Sequence, residues 1–99
     1  MQQNNTMPKT AVIMPAYNSG ATIEASVRSI LNQTVPNLVL IVVDDGSTDG
    51  TAAVLERLRA EDARLIPMTV QNGGPAKARN LALDAVPEGT EYIMFADSD

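Results

Sequence analysis

The chain has no cysteine and no histidine. Without cysteine there are no disulfides and no thiolate metal sites. Without histidine, imidazole catalysis and the usual zinc sites fall away within this segment. A basic cluster is missing too. Seven Lys and Arg stand against twelve Asp and Glu, for a net charge of −5, which argues against nucleic acid as a partner. Long apolar runs are also absent. The longest, around residues 38–43 and 93–96, fall far short of a membrane span. The polar, amide-rich residues 1–9 hold no hydrophobic segment of a signal peptide. The segment is therefore expected to be cytoplasmic, with a frayed or disordered start over residues 1–8.

What is present is the composition of an ordinary globular protein, 44% apolar and 19% charged over 99 residues. That length allows one domain, which buries roughly 60–70% of its unfolded surface.

The apolar residues recur with two different periods. Residues 10–14 form a short apolar run closed by Pro15 and predict a buried strand. Ser19 or Asn18 is placed to cap a helix over about 20–32, in which Ile23, Val27, Ile30 and Leu31 share one face. Asn32, Gln33, Thr34 and Pro36 end it. The continuous β-branched run 38–43 has the character of a central parallel strand. A turn cluster, Asp44 to Asp49, follows, and Thr48 or Asp49 can cap a helix over about 50–62. Residues 65–70 predict a weaker strand at an edge, because Pro67 interrupts it. After the loop Asn72-Gly73-Gly74, Pro75 suits the first turn of a helix reaching about Ala85, with a small-residue face of Ala78, Leu81, Ala82 and Ala85. Residues 92–96 predict the last strand. The order is β-α-β-α-β-α-β, an α/β, Rossmann-like parallel sheet with helices on both faces and right-handed crossovers.

In such a sheet, ligands bind beyond the carboxyl ends of the strands, near the reversal of strand order. The polar residues collect at three of those ends: Pro15-Ala16-Tyr17-Asn18, Asp44-Asp45-Gly46-Ser47 and Asp97-Ser98-Asp99. A ring like Tyr17 can stack on a nucleobase, and an Asp at the second strand end can accept from a base N–H. Arg79 offers a planar fork of donors to a diphosphate. Asp97 and Asp99 stand at i and i+2, so their side chains fall on one side of an extended chain. They make a hard oxygen site suited to Mg²⁺ or Mn²⁺, which takes few protein ligands and completes its shell with water and phosphate oxygens.

Five runs, VIMPAYN (12–18), SILNQT (29–34), VVDDGSTDGT (42–51), NGGPAKARNLAL (72–83) and YIMFADSD (92–99), together resemble the family 2 inverting glycosyltransferases of GT-A fold. The resemblance covers most of the chain after Lys9. It implies the nucleotide-sugar-binding part of a glycosyltransferase domain over residues 9–99. The donor is expected to be a UDP-sugar, bound with Mn²⁺ or Mg²⁺, and the acceptor a hydroxyl on a glycan, lipid carrier or other compound. Carried over position by position, Pro15, Ala16, Tyr17 and Asn18 line the base, Asp45 accepts from it and Arg79 lies near the nucleotide. Asp97 contacts the ribose or the metal, Ser98 gives backbone contacts, and Asp99 ligates the metal. The family's general base lies beyond such a DxD motif. The 99 residues alone are therefore expected to bind donor without turnover, as a nucleotide-binding module. Membrane association through other segments and homo-oligomerisation are compatible with the resemblance.

Competing readings fail on specific residues. A signalling receiver domain needs an acidic pair after the first strand and a later strand-end Lys, whereas Pro-Ala-Tyr-Asn stands there and no Lys follows Lys77. A sugar-nucleotide-forming nucleotidyltransferase wants a Gly-rich basic loop after that strand. Neither GxGxxG nor GxxxxGK[ST] occurs.

Overall fold

A computed structural model of the chain describes residues 9–33, 37–71 and 73–97. The expected frayed start, the Thr34–Pro36 helix stop, and Ser98 and Asp99 lie outside the described residues. Seven elements follow the expected order: β1 (Thr10–Ala16), α1 (Ile23–Leu31), β2 (Leu38–Asp45), α2 (Thr51–Glu61), β3 (Leu65–Val70), α3 (Pro75–Asp84) and β4 (Tyr92–Phe95). The four strands are parallel, in the order β3-β2-β1-β4. The chain first steps outward from β1 through β2 to β3. It then crosses back over the sheet to place β4 on the far side of β1, so strand order reverses at β1.

Alternation along the strands sorts the core into two layers. Val12, Met14, Leu38, Leu40 and Val42 face α1 and α2, where they meet Ile23, Val27, Leu31, Leu55 and Leu58. Ile13, Ile41 and Val43 face the other way, onto Ala78 and Ala82 of α3. Both faces of β2 are thus covered, which is why its sequence is an unbroken apolar run rather than an alternating one. The two alanines have no side-chain bulk to hold α3 away from the strands.

Several boundaries differ from the sequence expectation, each for a tertiary reason. β1 does not stop at Met14 but runs through Pro15 to Ala16. Ile13 O accepts from Ala96 N at 3.0 Å, so residue 13 turns its polar groups toward β4, and Pro15, two residues on, does the same. β4 pairs only as far as Ile13–Phe95, so the missing N–H of Pro15 leaves no ladder position unfilled. β2 likewise continues through Asp44 and Asp45, which pair with Thr69 and Val70 of β3, rather than opening into a turn at Asp44.

α1 begins at Ile23, three residues later than expected. Ser19 O first accepts from Thr22 N at 2.9 Å and Ile23 N at 2.8 Å to form a preceding turn. Its N-cap position is Thr22, which makes no side-chain cap bond, rather than the expected Ser19 or Asn18. The start of α2 does use Asp49, whose Oδ1 accepts from Thr51 N at 3.0 Å. Pro75 opens α3 and Pro67 sits on the edge strand β3, both as expected.

The outer faces of α1 and α2 are joined by charge. Glu24 accepts from Arg28 at 2.9 Å and from Arg57 at 2.6 Å, and Arg28 also reaches Glu61 at 2.9 Å. Arg57 lies 3.7 Å from Glu61 and closes the ring. The hydrogen bonds from Arg57 and then Arg28 pull the Glu24 carboxyl from 4.5 down to about 2.

Candidate functional site

Asp44 and Asp45 are consecutive on a strand, so they face opposite sides of the sheet. They do not act as a pair at one edge. Asp44 turns toward the α1–α2 side, fully buried, and its Oδ1 accepts from Ser47 N at 3.0 Å. Its Oδ2 meets no hydrogen-bond partner among the described residues. Asp45 turns toward α3 and is only 5% exposed. Its Oδ1 accepts from Gly73 N at 2.8 Å and its Oδ2 from Gly74 N at 2.9 Å. Each carboxylate oxygen has two acceptor positions, so both retain capacity after these bonds. The Gly73 and Gly74 amides are thus both engaged by Asp45. Gly74 makes the arrangement with φ of +93°, a conformation in which a Cβ is strained.

Tyr17 leaves β1 at its carboxyl end and is 49% exposed. Pro15, Ala16, Tyr17 and Asp45 together line a pocket of about 150 Å³ open to solvent. Four of the expected nucleotide-binding residues therefore meet in one place. The pocket lies beside β1, where the strand order reverses, as ligand sites of open parallel sheets do.

Asn18 does not extend the wall of that pocket. It adopts φ of +50° and is fastened to the loop after β2. Asn18 N donates to Ser47 Oγ at 2.8 Å, and Thr48 N donates to Asn18 Oδ1 at 2.8 Å. Three further bonds continue the seam. Ser19 N donates to Thr51 Oγ1 at 3.0 Å, Gly20 N to Asp49 Oδ2 at 3.0 Å, and Thr51 Oγ1 to Asp49 Oδ1 at 2.5 Å. The Thr51 hydroxyl and amide, then the Gly20 amide, hold the Asp49 carboxyl below its usual range.

Arg79 is set apart from the Tyr17 pocket. It lines a separate groove of about 320 Å³ with Ala76, Asn80 and Leu83 of α3 and Phe95 of β4. Asp97, two residues past Phe95, is exposed where the chain leaves β4. Tyr17 and Asp45 thus meet at one place on the sheet edge, while Arg79 stands on α3 in the groove against Phe95 and Asp97 follows β4. Among the described residues, no three carboxylates come together. Asp97 by itself is a donor that fits a hard divalent ion, since such ions keep most of their shell as water and phosphate oxygen. Its expected companion Asp99 lies outside the described residues, as does Ser98.

Sequence reasoning missed the partners of these residues. The Gly73 and Gly74 amides, the Ser47 hydroxyl and the Thr51 hydroxyl do their work through contacts 28 to 32 residues apart in the chain. The string Gly46-Ser47-Thr48-Asp49 signalled a capping turn but not what that turn would grip.

A parallel α/β sheet with an aromatic ring and an acceptor carboxylate at its switch point is the form of a nucleotide-binding domain. The comparisons with known proteins narrow that class. The family model described as Glycosyl transferase family 2 matches residues 11–99, and the chain belongs to that family. It is 42% identical over 96 residues to the putative teichuronic acid biosynthesis glycosyltransferase TuaG of Bacillus subtilis, covering 96% of this chain and 37% of that protein. Among solved structures, the mannosyltransferase PcManGT from Pyrobaculum calidifontis, in complex with GDP-Man and Mn²⁺, superposes with a TM-score of 0.81 at 31% identity. All of this chain and 30% of that one are covered. S. aureus TarS 1-349 in complex with UDP gives a TM-score of 0.81 at 36% identity, over 92% of this chain and 27% of that one. The chain spans about a third of the length of these relatives.

Proposed function

We propose that the chain is the donor-binding part of an inverting, metal-assisted glycosyltransferase, and that residues 9–99 hold the nucleotide of a nucleotide-sugar, a UDP-sugar foremost. The observation that carries this reading is the convergence of Pro15, Ala16, Tyr17 and Asp45 on one pocket at the sheet's switch point.

In this reading the base lies against the Tyr17 ring, and a ring N–H donates to the acceptor capacity left on Asp45. Uracil and guanine present such an N–H, and the structural relatives carry UDP in one case and GDP-Man in the other. The diphosphate then extends toward β4, where the Arg79 fork offers paired donors. Asp97, with Asp99, would hold Mn²⁺ or Mg²⁺, which when bound neutralises charge on the leaving diphosphate. Asp97 serves the ribose or the ion, and Ser98 contributes backbone contacts. The acceptor is a hydroxyl on a glycan, a lipid carrier or a comparable compound. The base that deprotonates it is assigned to no residue of these 99, so the isolated chain binds donor without transferring sugar.

The test is calorimetric titration of UDP and GDP into the chain, with and without Mn²⁺. Base–aromatic stacking contributes about 1–3 kcal/mol, so Tyr17→Ala should weaken UDP roughly 5- to 150-fold. Because the side chain is half exposed, the substitution should leave the unfolding midpoint in place. Asp97→Asn with Asp99→Asn should remove the gain from Mn²⁺ while leaving metal-free binding. A folded wild-type chain that binds neither nucleotide would sink the proposal.

A further inference from the structure

Asn18 belongs to the base segment by sequence, yet its backbone N–H and its side-chain oxygen both bond to the loop after β2. The β1–β2 ladder ends at the rung Ala16–Asp44. Beyond that rung the β1–β2 ladder supplies no further pairing; Tyr17 is the first residue after β1, and Asp45, the last of β2, pairs only with Val70 of β3 among the described strands. The following residues fasten the strands again, through Asn18 N to Ser47 Oγ and Thr48 N to Asn18 Oδ1, both at 2.8 Å. Asp44, in turn, holds Ser47 by its backbone N–H at 3.0 Å. The two walls of the pocket are therefore flanked on one side by the last ladder rung and on the other by a reciprocal pair of hydrogen bonds.

We propose that Asn18 and Ser47 are positioning residues: they form a clamp that sets the separation and aim of Tyr17 and Asp45 and so determines affinity for the nucleoside part of the ligand. This inference rests on the donor-nucleotide reading above. In this role the clamp acts through its neighbours, since Pro15, Ala16, Tyr17 and Asp45 line the pocket and Asn18 and Ser47 stand behind them. Its φ of +50° is one that asparagine tolerates better than most residues, which lets the backbone turn sharply enough for both bonds to form. The Ser47 hydroxyl accepts one backbone N–H and nothing in the sheet core depends on it. Its removal thus loosens the pocket without dismantling the fold.

The experiment uses the full chain with Ser47→Ala, Ser47→Thr and Asn18→Gly. Glycine at position 18 keeps the backbone conformation and removes the side-chain acceptor. Uridine and UDP are titrated with and without Mn²⁺, and the Tyr17 ring signals and the Asn18 and Thr48 amide exchange rates are followed by NMR without ligand. Loss of one such hydrogen bond should weaken uridine and UDP by the same factor, about three- to tenfold, in Ser47→Ala and Asn18→Gly. Ser47→Thr should restore both affinities. The ratio of UDP affinities with and without Mn²⁺ should not move, because the clamp lies at the base end. Tyr17 signals should shift in free Ser47→Ala.

Wild-type affinity in Ser47→Ala with unmoved Tyr17 signals would overturn the proposal, as would a threonine that fails to rescue. A loss confined to the Mn²⁺-dependent part would overturn it as well. If wild type binds no nucleotide, the donor reading fails on its own. The clamp is then judged in the free protein by protected Asn18 and Thr48 amides that become unprotected in Ser47→Ala. Unprotected amides in wild type would refute it, and the same measurement decides if a variant does not fold.

Discussion

Replacing Asp45 by asparagine tests the local architecture and the site together. In wild type the two carboxylate oxygens accept from two consecutive backbone amides, Gly73 N at 2.8 Å and Gly74 N at 2.9 Å. Asparagine keeps one oxygen and sets an NH₂ group against the other amide, so one bond becomes a donor facing a donor. A hydrogen bond to a charged group contributes about 1.5–3 kcal/mol, and a donor left without an acceptor costs about 1–3 kcal/mol. The bonds are partly buried, which favours the lower half of each range, and the retained bond weakens when its acceptor becomes neutral. The two figures describe the same lost pairing and are not added; they give about 2 kcal/mol for Asp45→Asn and about 3 kcal/mol for Asp45→Ala, where both amides lose their acceptor. In a chain of this length, 2 kcal/mol corresponds to a fall of about 8–16 °C in the unfolding midpoint. Urea denaturation followed by circular dichroism gives the free energy directly, and the m-value shows whether the unfolding unit has changed. A loss below about 0.5 kcal/mol for Asp45→Ala would refute the reasoning, because two buried-end amides cannot lose a charged acceptor so cheaply. Asp45→Asn should also weaken UDP, since one of the two charged oxygens that could accept the base N–H becomes an NH₂ donor.

Gly74→Ala should destabilise by about 1–2 kcal/mol from its backbone conformation alone, as a Cβ there meets no atom within 4 Å; urea denaturation reads it, and an unchanged midpoint refutes it. Thr51→Val removes the acceptor of Ser19 N and a donor to Asp49. It should cost about 1–2 kcal/mol and raise the Asp49 carboxyl toward its usual range, whereas Thr51→Ser should do neither; carboxyl NMR titration and thermal unfolding check the pair. The Glu24 carboxyl is lowered from 4.5 to about 2 by Arg57 and Arg28. Its stabilising contribution is thus complete above about pH 4.5 and vanishes as pH falls through about 2. The difference in midpoint between wild type and Glu24→Gln should accordingly close across that window, and should shrink in high salt because the pairs are exposed. A gap that persists unchanged at pH 2 would refute the ring as its source.

Much of this protein was legible in one dimension because the covering of a sheet writes itself into residue spacing. A strand buried on both faces has to be apolar throughout, as 38–43 is. A helix lying on it needs one apolar stripe, as Ile23, Val27 and Leu31 supply. Those two periods give element order and class, and the right-handed crossover rule then leaves few topologies. The strand-end segments followed from that order, and the resemblance to the family singled out Pro15, Ala16, Tyr17 and Asp45 within them. Strand ends were less legible, because whether Pro15 and Asp45 continue a strand depends on where β4 and β3 stop pairing.

Tertiary structure alone decided how the strand-end residues divide their labour. Alternation sends Asp44 and Asp45 to opposite faces only once β2 is known to continue through both. The pairing of Asn18 with Ser47 and of Asp45 with Gly73 and Gly74 joins segments that lie 28 or 29 residues apart in the chain. Periodicity is a local property set by burial, and it can be read along the chain. Hydrogen bonds between loops are long-range and directional, and their partners exist only after the sheet has brought the loops to one edge.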